Sequence, residues 1–159
     1  MKYSLFLILL LISYITCVKN YYELKMKDFA NKKVTDKDGT IYDKWFIKFY
    51  APWCPHCQRL APEWDIAAEQ LDGIVKVGGV DCTQEIELCD KFNVFGYPTI
   101  MYMEEKVGAV KYEGRREHES LVDYITSEDY NLDQDNKVEV PTGIKSSGFS
   151  KIREWFGLN

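Results

Sequence analysis

The sequence predicts an α/β domain with a mixed β-sheet between helices. Strand-like and helix-like segments alternate along the 159 residues, and the last two strand-like segments are separated only by a short turn. Alternating strands and helices favour parallel pairing with right-handed crossovers, whereas a short turn between two strands favours an antiparallel hairpin. A hydrophobic share of 46% is enough for a core. The expected order of elements is βαβαβαββα.

Five segments rich in aromatic and β-branched residues are predicted to be strands. They cover residues 21–24, 44–51, 74–82, 93–103 and 109–114, and the fourth turns at Gly96 before its strand begins. Lys48 is the residue that does not fit this pattern, because it places a charged side chain in the middle of the segment KWFIKFYA.

Four segments with apolar residues at intervals of three and four are predicted to be helices. They cover residues 25–34, 54–71, 83–92 and 117–125. Pro62 is expected to kink the second helix, and Thr83 is a candidate N-cap for the third. The polar segment 35–40 between the first helix and the second strand is predicted to be a turn.

The sequence divides into three parts. Residues 1–17 carry the positive Lys2 near their start and then a short apolar run, which is typical of a secretory signal peptide cleaved near Cys17. An uncleaved membrane anchor is the alternative. A membrane span needs roughly 20 apolar residues, and this run is shorter, so a cleaved signal is favoured. Stable membrane insertion is not expected after cleavage. Residues 18–128 are expected to form the folded domain. Residues 129–159 are expected to form a polar linker and a C-terminal amphipathic tail, which docks on the domain or binds a partner or a membrane surface.

Charge and cysteine content narrow the function classes. The net charge of −5 and the pI near 5.1 argue against nucleic-acid binding, which usually needs a basic surface. Removal of the signal peptide leaves an even number of cysteines in an oxidising compartment, where disulfides form and persist. They lie in two pairs, Cys54 with Cys57 and Cys82 with Cys89. The second pair is interpreted as a structural disulfide, with two buried free thiols as the alternative.

The segment WCPHC is predicted to lie where a strand ends and a helix begins. Cys54 then meets the free N–H groups of the first helical turn, which favour the thiolate, and Cys57 lies one turn later on the same side. His56 adds a group that can carry positive charge, and Pro55 stiffens the turn without loss of a hydrogen bond. The pattern indicates a redox-active pair rather than an inert crosslink. A zinc clip would need four ligands, so neither a metal nor another cofactor is expected.

Four segments together carry a family resemblance: FIKFYAPWCPHCQRLAPEW, VDCTQEIELC, VFGYPTI and YEGRREHESLVDYI. Over residues 21–128 the chain resembles the thioredoxin-fold domains of protein disulfide isomerases, most of all those of the three-domain endothelial type. The resemblance implies a thioredoxin fold and a thiol–disulfide oxidoreductase, acting as a disulfide isomerase or dithiol oxidase in oxidative folding. Cys54 would exchange disulfides with a client protein, and Cys57 would resolve the mixed disulfide. A client-binding module or chaperone without turnover is the alternative.

The resemblance also implies roles for residues outside the cysteine pair. Pro98 matches the family's cis-proline, which would bring the Tyr97 backbone beside the cysteines, and Trp53 would complete an apolar rim for unfolded clients. Arg116 matches an arginine that can swing toward the second cysteine and adjust its pKa. The neighbouring Arg115 leaves the register open, and a solvated surface arginine is the alternative.

Two positions depart from the family pattern. Pro55 stands where isomerases usually have glycine, and its Pro-His pair is similar to that of strongly oxidising periplasmic oxidases, which favours dithiol oxidation. Lys48 stands where the family usually has a buried acid that is thought to shuttle the proton of the second cysteine. A neutral Lys48 amine could act as a base, and a charged one would favour the Cys57 thiolate. A side chain that reaches solvent is the alternative.

Partners and location are implied by the resemblance as well. The expected partners are unfolded or cysteine-containing secretory proteins and a reoxidising thiol oxidase or glutathione. The expected location is the lumen of the endoplasmic reticulum. Since the sequence does not end in a KDEL-like signal, secretion stays open. His118, on the polar side of the last predicted helix, is expected to contact only solvent.

Overall fold

The computed structural model describes residues 20–30, 33–35 and 41–140 of the chain. The predicted signal peptide at 1–17, the predicted turn beyond Thr35 and the predicted tail beyond residue 140 lie outside the described residues. Within the described ranges, no helix is both long and apolar enough to cross a membrane.

In the described residues, nine strands form two sheets. In chain order the strands are β1 (Tyr22–Glu23), β2 (Phe29–Ala30), β3 (Lys33–Thr35), β4 (Ile41–Tyr42), β5 (Lys44–Tyr50), β6 (Lys76–Asp81), β7 (Thr99–Glu104), β8 (Gly108–Tyr112) and β9 (Lys137–Val138). The central sheet has the order β1-β6-β5-β7-β8-β9, and β2, β3 and β4 form a smaller sheet. β1, β6 and β5 are parallel, whereas β7, β8 and β9 are antiparallel to their neighbours. The predicted mixed sheet is confirmed.

The helices of the described part flank the central sheet. They are α1 (Pro55–Gln70), α2 (Ile86–Lys91) and α3 (His118–Thr126), with short 3-10 helices at Met26–Asp28, Asp129–Asn131 and Gln134–Asn136. Cys54 is the N-cap of α1 and Pro55 its first residue, a position at which proline loses no hydrogen bond. Gly73 in the turn after α1 has a φ of +80°, which glycine adopts without a steric penalty.

The hydrophobic core covers both faces of the central sheet. On one face, Phe46 of β5 packs against Trp64 of α1, with ring centroids 5.0 Å apart, and Leu121 of α3 belongs to the same cluster. The opposite face packs against α2 and the small sheet through Ile47, Phe49, Leu88, Phe92 and Met101. Burial of one such side chain contributes about 1.5–3 kcal/mol, so α1 is fixed firmly against β5.

The helix predicted over residues 25–34 is wrong. The backbone N–H of Lys25 donates to the Asp28 carboxylate at 2.8 Å, which closes a single 3-10 turn. β2 and β3 then form an antiparallel pair in which Phe29 lies opposite Val34, and both side chains are buried. Paired residues of a hairpin share one face, so the two apolar residues that suggested one side of a helix fit a hairpin equally well.

The N-cap predicted at Thr83 is also wrong. α2 begins at Ile86 with Glu85 as its N-cap. The Thr83 hydroxyl and backbone N–H both bond to the Asp81 carboxylate, at 2.7 and 2.9 Å. Asp81 therefore forms a side-chain turn with Thr83 at the end of β6. Asp and Thr commonly form such local hydrogen bonds instead of a helix cap, and α2 begins only at Ile86.

The polar linker predicted from residue 129 is wrong for residues 129–138. Tyr130 is only 3% exposed and stacks on Tyr102 of β7, with ring centroids 3.8 Å apart. β9 then adds to the edge of the sheet, where Lys137 lies opposite Val110 of β8. The acidic composition of the segment suggested solvation, but one aromatic anchor and a short strand join it to the domain.

Tyr130→Ala should destabilise the domain by about 3 kcal/mol, because a large buried ring is replaced by a cavity. The urea midpoint of unfolding measures the change. Leu132→Ala is the matched control in the same segment, since Leu132 is 81% exposed and its truncation should leave the midpoint almost unchanged. Equal midpoints for both variants would show that the segment is not part of the folded unit.

Candidate active site

Cys54 and Cys57 lie at the junction between β5 and the first turn of α1. The Cys54 N–H donates to the Ala51 oxygen at 3.1 Å, and the Cys54 carbonyl accepts the first helical bond, from Gln58 N–H at 3.0 Å. Both thiols are free and largely buried, packed with Ala51 in one small cluster. The predicted placement of the pair at a strand–helix junction agrees with this geometry.

The N-terminus of α1 lowers the pKa of the Cys54 thiol. This pKa is lowered chiefly by the hydrogen bond from the backbone N–H of Cys57 and less by the Cys57 thiol, the backbone N–H of His56 and the charge of Arg116; burial acts in the opposite direction. These amides are the unpaired donors of the first turn. Cys54 is therefore the sulfur that ionises first and reacts as a nucleophile.

Cys57 has the opposite character. The pKa of its thiol is raised to about 11, chiefly by burial and less by the neighbouring Cys54, whereas a hydrogen bond involving the Ala51 backbone and the charge of Lys48 act in the opposite direction. At neutral pH Cys57 therefore stays protonated until a nearby group favours its thiolate. The pair consequently divides into an attacking sulfur and a sulfur held in reserve.

The loop before β7 closes the site from the other side. The Tyr97–Pro98 peptide bond is cis, and the Tyr97 carbonyl lies 3.5 Å from Cys54 Sγ and accepts a hydrogen bond from it. The Trp53 ring meets the Tyr97 ring edge-on, with centroids 6.2 Å apart, and Trp53 is 68% exposed. Backbone and apolar surface thus lie together beside the reactive sulfur.

Phe95 is a site residue that the sequence reasoning missed. It is 94% exposed, two residues before Tyr97, and it lines a groove of about 530 Å³ together with Phe92, Pro98 and Arg116. The signal available in the sequence is the large aromatic residue in the turn-containing segment NVFGYP, because loops lie on the surface and exposed large apolar groups are informative. Phe95 and Trp53 together give the loops that carry Tyr97 and Cys54 more exposed apolar surface than predicted.

Arg116 approaches the site on the side of Cys54. Its guanidinium donates to the Pro98 carbonyl at 3.4 Å, and its charge lowers the pKa of Cys54, the effect of the Cys57 amide being larger. The resemblance implied an effect on the second cysteine instead. His56 also differs from expectation. Its imidazole lies on the surface, 2.9 Å from the Arg59 guanidinium. The group of His56 that lowers the pKa of Cys54 is its backbone N–H.

Lys48 is buried, with 3% of its surface exposed, so the alternative of a side chain that reaches solvent is wrong. Its Nζ lies 4.0 Å from the centre of the Tyr21 ring, 5.2 Å from that of Tyr50 and 5.6 Å from that of Trp64. Cation–π contacts of this kind stabilise an ammonium group away from water. Lys48 therefore sits in an aromatic box beneath α1.

The second cysteine pair and His118 join elements outside the redox site. A disulfide links Cys82, after β6, to Cys89 of α2. His118 was expected to contact only solvent, but its Nδ1 lies 2.7 Å from the Glu63 carboxylate and its backbone N–H donates to the same oxygen at 2.9 Å. These bonds lower the pKa of Glu63 and tie α3 to α1.

Glu63, His118 and Glu119 are the described residues that could hold a metal ion, with ligand atoms within 4.8 Å of one another. The imidazole already contacts both carboxylates, at 2.7 and 3.3 Å, and Glu119 is exposed. These contacts explain why the three side chains lie together, since they link α3 to α1.

A thioredoxin family model matches residues 22–127. The chain belongs to the thioredoxin family. It is 44% identical over 82 residues to the thioredoxin domain-containing protein 5 homolog of Drosophila melanogaster, covering 50% of this chain and 20% of that one. It is 39% identical over 133 residues to human (Homo sapiens) protein disulfide-isomerase A6, covering 83% and 28%.

Solved structures show the same family relationship. The first thioredoxin domain of mouse protein disulfide-isomerase A4 matches with 36% identity and a TM-score of 0.58, covering 80% of this chain and 88% of that one. The J-Trx1 fragment of ERdj5 matches with 31% identity and a TM-score of 0.59, covering 69% and 51%. The chain spans less than a third of the curated relatives described above. The expected thioredoxin fold is confirmed.

Arg116→Gln should slow alkylation of Cys54 by iodoacetamide roughly twofold at pH 7, because loss of a nearby positive charge raises the pKa of the thiol and lowers its thiolate fraction. Mass spectrometry of the modified peptide gives the rate. Arg115→Gln removes an adjacent exposed arginine and should keep the wild-type rate. If the two variants alkylate alike, Arg116 does not act on Cys54.

Proposed function

We propose that this chain is a thiol–disulfide oxidoreductase that assists the oxidative folding of secretory proteins, as a disulfide isomerase or dithiol oxidase. The observation that carries the proposal is the unequal cysteine pair: Cys54 with a lowered pKa at the start of α1 and Cys57 with a raised pKa one turn later. The family relationship supports the same activity, since relatives over the matched region are named protein disulfide-isomerases.

Reduction of a client disulfide needs both sulfurs. The Cys54 thiolate attacks one client sulfur, a new S–S bond forms to Cys54, and the other client sulfur leaves as a thiolate and takes up a proton. The Cys57 thiolate then attacks Cys54 Sγ. The Cys54–Cys57 disulfide forms, the client's second sulfur leaves as a thiolate, and two electrons have passed from the pair to the client.

The reverse sequence transfers a disulfide to the client. A client thiolate attacks Cys54 Sγ of the oxidised pair, and Cys57 leaves as a thiolate that takes up a proton. A second client thiolate then displaces Cys54, which is a good leaving group because its pKa is low. Pro55 in the first turn, where isomerases usually have glycine, favours this oxidising direction. The reduced pair then needs a thiol oxidase or oxidised glutathione to accept its electrons.

Clients would bind along the apolar surface around Cys54. Trp53, whose ring contacts the Tyr97 ring, and Phe95, two residues before Tyr97, are both exposed, and an unfolded, cysteine-containing segment offers apolar side chains to both. An extended client backbone beside Tyr97 would place its sulfur near Cys54. Exposed aromatic side chains are the kind of anchor that recognition surfaces use.

We also infer that the chain acts in the secretory pathway, in the lumen of the endoplasmic reticulum. Residues 1–17 have the pattern of a cleaved signal peptide, which would leave the domain from residue 18 as the working unit. The Cys82–Cys89 disulfide fits an oxidising compartment.

The test is the refolding of reduced, denatured ribonuclease A in a glutathione buffer, followed by recovered ribonuclease activity. The mature wild-type chain should accelerate recovery, and Cys54→Ser should reduce the rate to that of the buffer alone. Cys57→Ser should accumulate mixed disulfides with the client, visible on a non-reducing gel, because the resolving sulfur is missing.

A client-binding module without turnover is the second candidate, favoured by the exposure of Trp53 and Phe95. It predicts that Cys54→Ser keeps the full effect on refolding while Trp53→Ala and Phe95→Ala lose it. Ile86→Ala is the matched control, because Ile86 is an exposed apolar residue of α2 that does not line the groove. Retained activity in Cys54→Ser would contradict the oxidoreductase proposal.

A further inference from the structure

Glu23 and Lys48 lie at the same level of the central sheet, on either side of one glycine. β6 separates their strands, and Gly79 of β6 is aligned both with Glu23 of β1 and with Lys48 of β5. Aligned residues of neighbouring strands point to the same face of the sheet. A Cβ atom at Gly79 would lie 2.8 Å from the Tyr21 ring and 3.4 Å from Lys48 Cε. The missing side chain at Gly79 therefore leaves the space through which Lys48 extends toward β1.

Two tyrosines contact both charged groups. The hydroxyl of Tyr50 donates to the two Glu23 carboxylate oxygens, at 3.0 and 3.1 Å, and the hydroxyl of Tyr21 donates to one of them at 3.3 Å. The same two rings lie 5.2 and 4.0 Å from Lys48 Nζ. A carboxylate and an ammonium held by the same pair of rings must be near neighbours.

A buried ammonium needs a carboxylate close by. Lys48 is 3% exposed, and transfer of a charge out of water is strongly unfavourable unless a counter-charge accompanies it. Glu23 and Asp65 are the described carboxylates that act on this region, since both raise the pKa of Tyr21, although burial of the phenol is the larger cause. Asp65 lies on α1, and its buried Oδ1 accepts no hydrogen bond from the described residues. Glu23 is the carboxylate that the tyrosines fix in place.

The Lys48 ammonium over Gly79 affects the redox pair. The ring of Tyr50 packs against the cluster of Ala51, Cys54 and Cys57. The charge of Lys48 lowers the pKa of Cys57, against the larger effect of burial. An ammonium at this position thus makes the Cys57 thiolate easier to form, and its loss would make the thiolate harder to form.

We propose that Glu23 is a positioning residue for the proposed thiol exchange: it keeps Lys48 charged over Gly79, and the Lys48 ammonium favours the Cys57 thiolate that closes the disulfide. The step is the attack of Cys57 on Cys54 Sγ in the mixed disulfide. The Cys54–Cys57 bond forms, the client sulfur leaves with the bonding electron pair, and the Cys57 proton passes to solvent. This inference rests on the function proposed above.

Stopped-flow tryptophan fluorescence on the mature chain separates the two steps. Reduced protein is mixed with excess oxidised glutathione across a range of pH. The first phase depends on glutathione concentration and reports attack by Cys54, whereas the second does not depend on it and reports closure by Cys57. The readout is the pH at which the second phase reaches half its maximal rate.

Glu23→Gln should raise that pH by about one unit, which is roughly a tenfold slower second phase at pH 7. Without the carboxylate, desolvation favours the neutral amine of Lys48, and the charge that favours the Cys57 thiolate is lost. Lys48→Met should shift the profile in the same direction, and the double variant should shift it no further than Lys48→Met, because Glu23 acts through Lys48. Glu23→Asp should restore most of the wild-type profile.

Asp65→Asn is the matched control, since Asp65 faces Tyr21 from α1, and it should keep the wild-type profile. The inference is overturned if Glu23→Gln leaves the profile unmoved or lowers it, if Asp65→Asn moves it instead, or if the two single shifts add in the double variant. Those results leave thiol exchange intact. A wild-type chain that shows no second phase would overturn the proposed function, and this inference with it.

Discussion

The junction between β5 and α1 is the constraint on which the rest of the site depends. β5 is buried on both faces and ends at Tyr50, and the bond from Cys54 N–H to the Ala51 oxygen turns the chain directly into the helix. Packing of Trp64 against Phe46 holds α1 in that direction. The free amides of the first turn therefore point at the Cys54 sulfur, and the thiolate forms in a site that is already organised.

The two cysteines share one helical turn but differ in environment, and that difference gives the pair its chemistry. Amides of the first turn lower the pKa of Cys54, with a further contribution from Arg116. Burial raises the pKa of Cys57, and Lys48 opposes that effect. The two basic residues thus act on different sulfurs, one from the loop before α3 and one from beneath α1. A change at either position should alter one step of the exchange more than the other.

Much of this site could be predicted from the sequence because its determinants are local. The WCPHC segment between a β-rich run and an apolar helical pattern places both cysteines at a helix start, and GYPT indicates the loop that faces them. Features that depend on distant partners were missed. The pairing of Phe29 with Val34 becomes apparent only with the core that buries them, and the stacking of Tyr130 on Tyr102 joins segments far apart in the chain. The alignment of Glu23 and Lys48 over Gly79 requires the strand register.

The reduction potential of the Cys54–Cys57 pair, measured by equilibration of the mature chain against glutathione, tests the redox role most directly. Cys54→Ser, which retains the Cys82–Cys89 disulfide, serves as the background. A stabilised Cys54 thiolate predicts a potential near or above the lumenal poise of about −180 to −210 mV, where the pair can exchange disulfides with clients in both directions. A potential below roughly −300 mV is typical of structural disulfides and would contradict a catalytic role for the pair.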